Sequence, residues 1–290
     1  MVFCHFYLLQ RVNAMNIPIT NPIKIVVKQS GQVKIHTFIS SYEGDNIANA
    51  THIIESENVL VLIDGQFLSP YAKKFRDYAD SLKKPIERLY LSHRHPDHWF
   101  GLGDAFSDVE IYTLPETIEF LKEHGEESRE DHMGKLGDLA PEKVVIPQHA
   151  VYPGVEIIDG VKYVIERIID TEIDYGITLK LPDLGVFIAQ DLIYSGTHLY
   201  LTKYLDHWME QYEDMLLSDY DLFLPGHGAP ADKKEVTENL KYLIAAKQAI
   251  ADGLKNEAFK EFMLHKFPTR QCPAIFDIYL PRLFDGASEY

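Results

Sequence analysis

The most constraining feature of this sequence is the stretch His93-Arg94-His95-Pro96-Asp97-His98, which holds three histidines and an aspartate. It follows a strand-like run, Ile86 to Leu91. Neutral imidazoles bind zinc, iron and manganese, and a carboxylate adds the negative charge that holds a divalent ion. Histidines at i and i+2 can point to one side, while Asp97 and His98 turn back toward a neighbouring point. The pattern therefore predicts one loop that supplies ligands to two adjacent cations.

Six residues cannot complete two coordination shells, so other loops must contribute ligands. Apolar strands that end in acidic or imidazole residues are the places to search. The sequence has three such places after the histidine stretch, which are Asp170 to Asp174, Asp191 and His227. The remaining isolated histidines are interpreted as surface or hydrogen-bonded core residues. They are His5, His36, His52, His124, His132, His149 and His265.

The order of predicted elements indicates the fold class. Strand patterns occur twice, each time followed by alternating strands and helices, and this order predicts two sheets faced by helices. Asp159-Gly160 predicts a type I′ hairpin turn. Ser69-Pro70 predicts the N-terminus of one helix, and Asp232 with Glu235 predicts that of another. A helix over 115–124 is predicted to end at Gly125, and the polar residues 126–143 predict an insertion or mobile loop.

The motifs together resemble the metallo-β-lactamase-fold superfamily. The matching segments are the histidine stretch, Ile188-Ala189-Gln190-Asp191-Leu192 and Pro225-Gly226-His227-Gly228. Asp64 lies where the family has an aspartate that supports the metal loop. The resemblance implies an α/β protein with a four-layer αββα sandwich and a binuclear site at one edge of two sheets. We expect one domain over 23–290, including the C-terminal helices, after an N-terminal extension over 1–22.

The resemblance assigns two divalent metal ions and most of their ligands residue by residue. It implies that the first ion is bound by His93 and His95, the second by Asp97, His98 and His227, and that both are bridged by Asp191. Hydrolases of this group usually have a third histidine for the first ion, but no histidine occurs between His149 and His198. Counting back from Leu181-Pro182 places Glu172 there, with Asp170, Asp174 and His198 as alternatives.

A carboxylate at this position affects the expected chemistry. More negative charge makes the ions weaker Lewis acids, and carboxylate ligands move the preference from zinc toward iron or manganese. Within the superfamily, a carboxylate at this position resembles the di-iron branch. The alternative is that Glu172 points away from the site.

The predicted activity is hydrolysis of a small-molecule ester, lactone or thioester. A hydroxide bridging the two ions would attack the substrate, and Asp97 or Asp191 would take the proton.

Tyr194 has the spacing from Asp191 of a substrate-contacting tyrosine in homoserine lactonases of this superfamily; a packing role is the alternative. Residues 198–208 are expected to line an apolar pocket or to pack a loop against the next helix. A di-iron redox enzyme and a non-catalytic metal- and ligand-binding protein are the other candidate functions.

Composition limits the partners. The chain has 28 Lys and Arg against 44 Asp and Glu, and its net charge of −16 opposes binding to nucleic acid or an anionic membrane. We therefore expect a small-molecule substrate. Cys4 and Cys272 are too few for a disulfide framework, which favours a cytoplasmic protein. The aromatic segment Phe276 to Phe284 is expected to contact a partner, as in a homodimer, or to close its own pocket.

Overall fold

The computed structural model describes residues 23–41 and 47–286. The predicted extension over 1–22, with Cys4 and His5, lies outside the described residues. The strands are β1 Lys24–Ser30, β2 Val33–Ser40, β3 Asn49–Glu55, β4 Leu60–Ile63, β5 Ile86–Tyr90, β6 Ile111–Thr113, β7 His149–Ala150, β8 Gly154–Ile158, β9 Val161–Ile169, β10 Tyr175–Leu181, β11 Val186–Tyr194 and β12 Leu222–His227. The helices are α1 Ser69–Ser81, α2 Pro96–Trp99, α3 Leu102–Ala105, α4 Pro115–Leu136, α5 Leu205–Leu217, α6 Lys233–Ala251, α7 Asn256–Lys266 and α8 Ile275–Asp285. Within these ranges, no helix has the length and apolar character needed to cross a membrane.

The strands form a curled mixed sheet with two halves. In the first half, β1 to β4 pair antiparallel and β4 to β7 pair parallel. In the second half, β8 to β11 pair antiparallel, and β11 is parallel to β12. β12 pairs with β3 through His227 and Asn49, which joins the two halves.

Three apolar cores define the layers of the molecule. The first lies between the two halves of the sheet and includes Ile54 of β3 and Ile188 of β11. The second packs α1 to α4 against the first half, with Phe75 at its centre. The third packs α5 to α8 against the second half and includes Trp208 and Phe276. This order of helix, sheet, sheet and helix confirms the predicted αββα fold class.

Local signals explain several element boundaries. Asp159 and Gly160 have φ of 46° and 78°, so they form the predicted positive-φ turn between β8 and β9. The Asp232 side chain accepts hydrogen bonds from the backbone N–H groups of Lys234 and Glu235, which caps α6 as predicted. Ser69 is the first residue of α1 and provides no cap; its hydroxyl instead donates to Asp104.

The predicted loop over 126–143 is wrong. α4 continues through Gly125 to Leu136, and a short 3-10 turn follows at Gly137–Leu139. Gly125 is buried, and a Cβ at this position would lie 3.0 Å from Cγ1 of Val144. A small residue is therefore needed for packing at this point, and the glycine does not end the helix. The Glu126–Arg129 pair, at 2.7 Å, supports the continued helix.

Two of the isolated histidines are hydrogen-bonded core residues, as predicted. His36 Nε2 lies 2.9 Å from Oε2 of Glu55, and its Nδ1 lies 2.7 Å from the Tyr78 hydroxyl. His52 lies between Thr37 Oγ1, at 3.0 Å, and the carbonyl oxygen of Pro225, at 2.9 Å. Through Pro225, His52 also contacts β12 two residues before His227.

Candidate metal centre

The structure brings all seven predicted ligand residues into two adjoining groups. Within each group, one potential ligand atom per residue lies within 4.8 Å of the others. The first group consists of His93, His95, Glu172 and Asp191. The second consists of Asp97, His98, Asp191 and His227. Asp191 belongs to both groups, so it lies where a bridging ligand was predicted.

The Asp64 carboxylate holds the histidine loop in place through hydrogen bonds. It is fully buried at the end of β4, and Oδ1 accepts a hydrogen bond from the Ser92 backbone N–H at 2.7 Å. Oδ2 accepts from the Ser92 hydroxyl at 2.7 Å, from Nδ1 of His98 at 2.7 Å, and from the side-chain amide of Gln190. Because a carboxylate accepts the Nδ1 proton, Nε2 of His98 is left to face the site.

Two other histidines are oriented in the same way. Nδ1 of His93 lies 2.8 Å from the Ser92 hydroxyl, and Nδ1 of His227 donates to the carbonyl oxygen of Ile47 at 3.1 Å. In both residues the outer nitrogen is fixed by the protein, so Nε2 points into the site. This arrangement, in which an outer hydrogen bond sets the tautomer, is typical of metal-binding histidines.

Glu172 lies in the turn between β9 and β10. The backbone N–H of Asp170 donates to the Asp174 carbonyl oxygen at 3.2 Å, which closes the turn and leaves Glu172 buried beneath it. Its Oε1 lies 3.2 Å from Nδ1 of His95. Gly176 allows β10 to lie close to the start of the histidine loop, because a Cβ at this position would lie 3.2 Å from the Ser92 carbonyl oxygen. Glu172 therefore points into the site, and the alternative that it points away is wrong.

Asp191 depends on a glycine in the neighbouring strand. β11 and β12 run parallel, and Gly226 of β12 lies directly beside the Asp191 carboxylate. A Cβ on Gly226 would overlap Oδ1 of Asp191. Asp191 Oδ2 lies 3.3 Å from Nε2 of His227, and Oδ1 lies 3.2 Å from Nε2 of His98. The glycine therefore provides the space in which this carboxylate meets two histidines.

Several buried atoms in these groups make close contacts but no hydrogen bond of good geometry with any described residue. They are Nε2 of His93, Nε2 of His98, both carboxylate oxygens of Glu172 and Oδ1 of Asp191. Buried polar atoms are normally paired, because an unpaired one costs free energy. Imidazole nitrogens and carboxylate oxygens are ligands for zinc, iron and manganese. The residues present therefore fit two divalent cations.

Burial and neighbouring charges shift the pKa values of several ligand residues. Burial raises the pKa of Asp191, but the charges of His98 and His227 outweigh this effect and hold the pKa well below its usual value. Burial, opposed by the charge of His95, raises the pKa of Glu172 to about 7. Burial and the charge of His98 lower the pKa of His93, so its imidazole is held neutral. A neutral imidazole and an ionised carboxylate are the forms that bind metal ions.

The other residues considered for the position of Glu172 belong to neither group. Oδ2 of Asp174 pairs with Arg94 at 3.0 Å, and the Asp174 side chain is half exposed. Asp170 lies at the start of the turn with φ of 51°. His198 is buried in the third core, with Nδ1 3.0 Å from the Tyr242 hydroxyl and its ring against Phe276.

His198 gives a pH-dependent contribution to stability. Burial and the charge of Arg270 lower its pKa from 6.5 to about 4. The unfolded chain therefore binds this proton more readily, so stability present above pH 6.5 is lost as the pH falls toward 4. We expect His198→Phe to make the decline in unfolding free energy between pH 6 and 5 shallower by about 1 kcal/mol. Urea unfolding at both pH values measures this slope, and equal slopes for variant and wild type would contradict the assignment.

Comparisons with known proteins agree with this architecture. No protein-family model matches the chain, and no curated protein sequence matches it. A metallo-beta-lactamase from Pontibacter korlensis superposes with a TM-score of 0.61 at 17% identity, over 77% of this chain and 99% of that one. A metallo-beta-lactamase from Hirschia baltica superposes with a TM-score of 0.57 at 20% identity, over 77% and 97% of the two chains. This chain has the metallo-β-lactamase fold.

The fold also occurs in a structural neighbour with a different description. A stereoselective inverting sec-alkylsulfatase from Pseudomonas sp. superposes with a TM-score of 0.58 at 17% identity, over 78% of this chain and 43% of that one. At such identities the likeness establishes the metallo-β-lactamase fold and leaves the activity open. The assignment of individual residues in this chain therefore rests on the geometry described above.

A cavity of about 330 Å³ opens onto both ligand groups. α4 forms one wall through His124, Ser128 and His132, and α8 forms the other through Ile275, Ile278 and Arg282. Within the segment from Phe276 to Phe284, Ile278 and Arg282 line the cavity, and the predicted contact with a partner stays a prediction. Of the segment over 198–208, Tyr200 lines the cavity, whereas Leu199 and Leu201 are buried in the core.

Most residues in these walls were not predicted from the sequence to line a cavity. His132 was interpreted as an isolated histidine; its Nδ1 donates to the Ser128 carbonyl oxygen at 2.7 Å, and its ring packs against Phe100 while the residue lines the cavity. Phe67 was not predicted either, and Arg282 was considered only as part of the aromatic C-terminal segment. The i, i+4 and i+8 spacing of His124, Ser128 and His132 is the one signal that could have identified this wall, and it required α4 to pass through Gly125.

Proposed function

We propose that this protein is a metal-dependent hydrolase of small-molecule esters, lactones or thioesters. The observation that supports this proposal is the pair of ligand groups that share Asp191 at the base of a largely apolar cavity. Two divalent cations held by these groups would supply Lewis acidity toward a carbonyl oxygen and lower the pKa of a water molecule. An apolar cavity with a few convergent polar groups is typical of a small-molecule site.

The two central aspartates have different roles in this proposal. Asp191 is almost completely buried and stays ionised, so it serves as a ligand. Asp97 has 21% of its side chain exposed and lines the cavity, so it can receive a proton from water. The water oxygen forms a bond to the carbonyl carbon, and the bond from that carbon to the leaving oxygen or sulfur breaks. The proton held by Asp97 then passes to the leaving group.

Tyr194 is positioned to donate a proton or hydrogen bond to the substrate. Its hydroxyl lies 3.3 Å from Oδ2 of Asp191, and its ring stacks on His227 with centroids 4.7 Å apart. Burial, together with the charge of Asp191, raises its pKa well above 10.0, so the hydroxyl keeps its proton. We expect Tyr194→Phe to lower kcat by about 10²-fold, the cost of removing one donor from a charge-stabilising site. Metal content, measured by mass spectrometry, should stay unchanged because the ring packing is retained; an unchanged kcat would instead support the packing role.

Turnover of a defined substrate panel tests the proposed function. Purified protein reconstituted with zinc, manganese or iron would be assayed with a lactone, a thioester, a carboxylic ester and a secondary alkyl sulfate. We expect hydrolysis of at least one carbonyl substrate, with loss of activity on chelation and recovery on adding the metal back. Hydrolysis of the sulfate alone would replace the proposed substrate class. No turnover with any metal would contradict the hydrolase and support a binding protein.

A di-iron redox enzyme is the second candidate, and Glu172 is the observation that favours it. This residue places a carboxylate beside His93 and His95 in the first group, and such ligands favour iron or manganese over zinc. Bound iron with substrate-dependent oxygen consumption, together with no hydrolysis, would favour this function over the hydrolase.

Substitution of Glu172 tests the metal preference directly. We expect Glu172→His to raise the zinc-to-iron ratio of protein purified from metal-supplemented cells severalfold, because an imidazole replaces a hard oxygen ligand. The matched control is Glu57→His, which introduces the same side chain at an exposed position outside both groups. A ratio equal to wild type in Glu172→His would show that Glu172 does not contact the ion.

A further inference from the structure

Arg94 is the residue between the two histidines of the first ligand group, and its side chain is buried. Its Cζ lies 5.2 Å from the centre of the Phe120 ring in α4 and 5.7 Å from that of the Tyr175 ring in β10. Its Nη2 donates a hydrogen bond to Oδ2 of Asp174 at 3.0 Å. An arginine keeps its charge in proteins, so this buried cation is stabilised by its aromatic and acidic neighbours. The histidine loop therefore carries a cation that reaches the turn before β10.

Asp174 connects this cation to the turn that carries Glu172. The Asp174 carbonyl oxygen accepts a hydrogen bond from the backbone N–H of Asp170 at 3.2 Å, and Glu172 lies between these two residues. Oε1 of Glu172 lies 3.2 Å from Nδ1 of His95. The turn therefore meets the histidine loop twice, once through the ligand residues and once through the pair of Asp174 with Arg94.

Two further contacts fix other parts of the same turn. The backbone N–H of Ile177 in β10 donates to the Ser92 carbonyl oxygen at 2.9 Å, which joins the strand to the start of the histidine loop. On the other side, the Thr202 hydroxyl donates to the Thr171 carbonyl oxygen at 2.5 Å. The stretch between these contacts holds the ligand carboxylate, and the ion pair at Asp174 ties this stretch to the histidine loop.

We propose that Arg94 is a positioning residue for the first metal ion. Through Asp174, it holds Glu172 at the distance from His93 and His95 at which the three side chains can reach one ion. Partners behind metal ligands typically change metal affinity by about 10- to 100-fold. This inference rests on the two ligand groups and goes beyond the proposed hydrolase, because it concerns metal binding and not turnover.

The zinc affinities of the two groups test the proposal. Competition of metal-free protein with a chromophoric chelator gives a dissociation constant for each group, and His95→Ala and His227→Ala identify which constant belongs to which group. We expect Arg94→Met and Asp174→Asn each to weaken zinc binding at the first group by about tenfold and to leave the second group at its wild-type affinity. Arg94→Lys should give an intermediate loss, because lysine keeps the charge but lacks the planar guanidinium.

The double variant shows whether the two residues act through their contact. Arg94→Met/Asp174→Asn should lose about tenfold, as each single variant does, because the second substitution has no contact left to break. A loss of about a hundredfold would show independent effects and would overturn the proposal. Wild-type affinity in both single variants, or equal weakening at both groups, would also overturn it.

Controls separate positioning from a general loss of structure. Asp174 is half exposed, so Asp174→Asn remains a valid test if Arg94→Met does not fold. Asp108→Asn breaks a comparable ion pair, that of Asp108 with Arg76 at 2.6 Å, outside both ligand groups. It should keep both zinc affinities. Because no substrate is used, failure of the hydrolase in the substrate panel would leave this result unaffected.

Discussion

Asp191→Asn is expected to remove both metal ions from the protein and to lower kcat/KM by about 10³-fold, because several kcal/mol of charge stabilisation at the reacting centre are lost. The reason is geometric: Asp191 is the residue common to both ligand groups, and its two oxygens approach Nε2 of His98 and Nε2 of His227 at 3.2 and 3.3 Å. An asparagine keeps the shape of the side chain but loses the charge and one acceptor oxygen.

The measurement is metal content by mass spectrometry beside turnover of the best substrate in the panel. Asp214→Asn is the matched control, because Asp214 is an exposed residue of α5 outside both groups. The Asp191→Asn substitution is also expected to change the pKa values of two neighbouring histidines. With Asp191 neutral, His98 and His227 lose the charge that raises their pKa values, and this opposes their protonation in the metal-free protein. If Asp191→Asn retained two ions, Asp191 would not be the bridging ligand.

Gly226→Ala is expected to have nearly the same effect, although Gly226 has no side chain to bind anything. A Cβ at this position would overlap Oδ1 of Asp191 and would lie 3.0 Å from its Cγ. Either the carboxylate rotates away from His98 or β12 moves and takes His227 with it. Either movement would separate Asp191 from a histidine of the second group. We therefore expect loss of metal binding and a decrease in kcat/KM of about 10²-fold or more, the upper range for disturbing the surroundings of metal ligands.

Gly134→Ala is the matched control for this variant, because a Cβ on this α4 residue would meet no atom within 4 Å. That substitution should leave metal content and activity at wild-type values and should stabilise the helix slightly. Circular dichroism would establish that Gly226→Ala is folded before its metal content is measured. A folded Gly226→Ala protein with two ions and full activity would contradict the role assigned to this glycine.

The fold and the ligand groups were predicted from sequence because their signals are local. The histidine stretch places four potential ligands in six residues, and Asp191 and His227 each follow an apolar strand. Glu172 was located by counting back from a hairpin whose turn residues were recognisable. In each case, the resemblance to the metallo-β-lactamase-fold superfamily assigned a ligand role to a residue in a short, recognisable segment.

The cavity walls could not be predicted, because they depend on contacts between segments that are distant in the chain. Gly125 has the appearance of a helix terminator, and only its packing against Val144 shows why the helix continues and presents His132 to the cavity. Arg282 has no local pattern that separates it from any other surface arginine. Its place in the cavity wall follows from the tertiary position of α8, where Arg282 donates a hydrogen bond to the Tyr200 hydroxyl.

Among the described residues, strands of the two sheet halves pair with each other through His227 and Asn49, and this short junction has a consequence for the stability of the protein. His93, His95 and His98 come from the first half, and Glu172, Asp191 and His227 come from the second. Each ligand group therefore takes residues from both halves, which are also joined by an apolar core and by backbone hydrogen bonds such as that from Gly228 N–H to the Ala48 carbonyl oxygen. An ion bound at either group would cross-link the two halves, and its binding would add to the resistance of the protein to thermal unfolding.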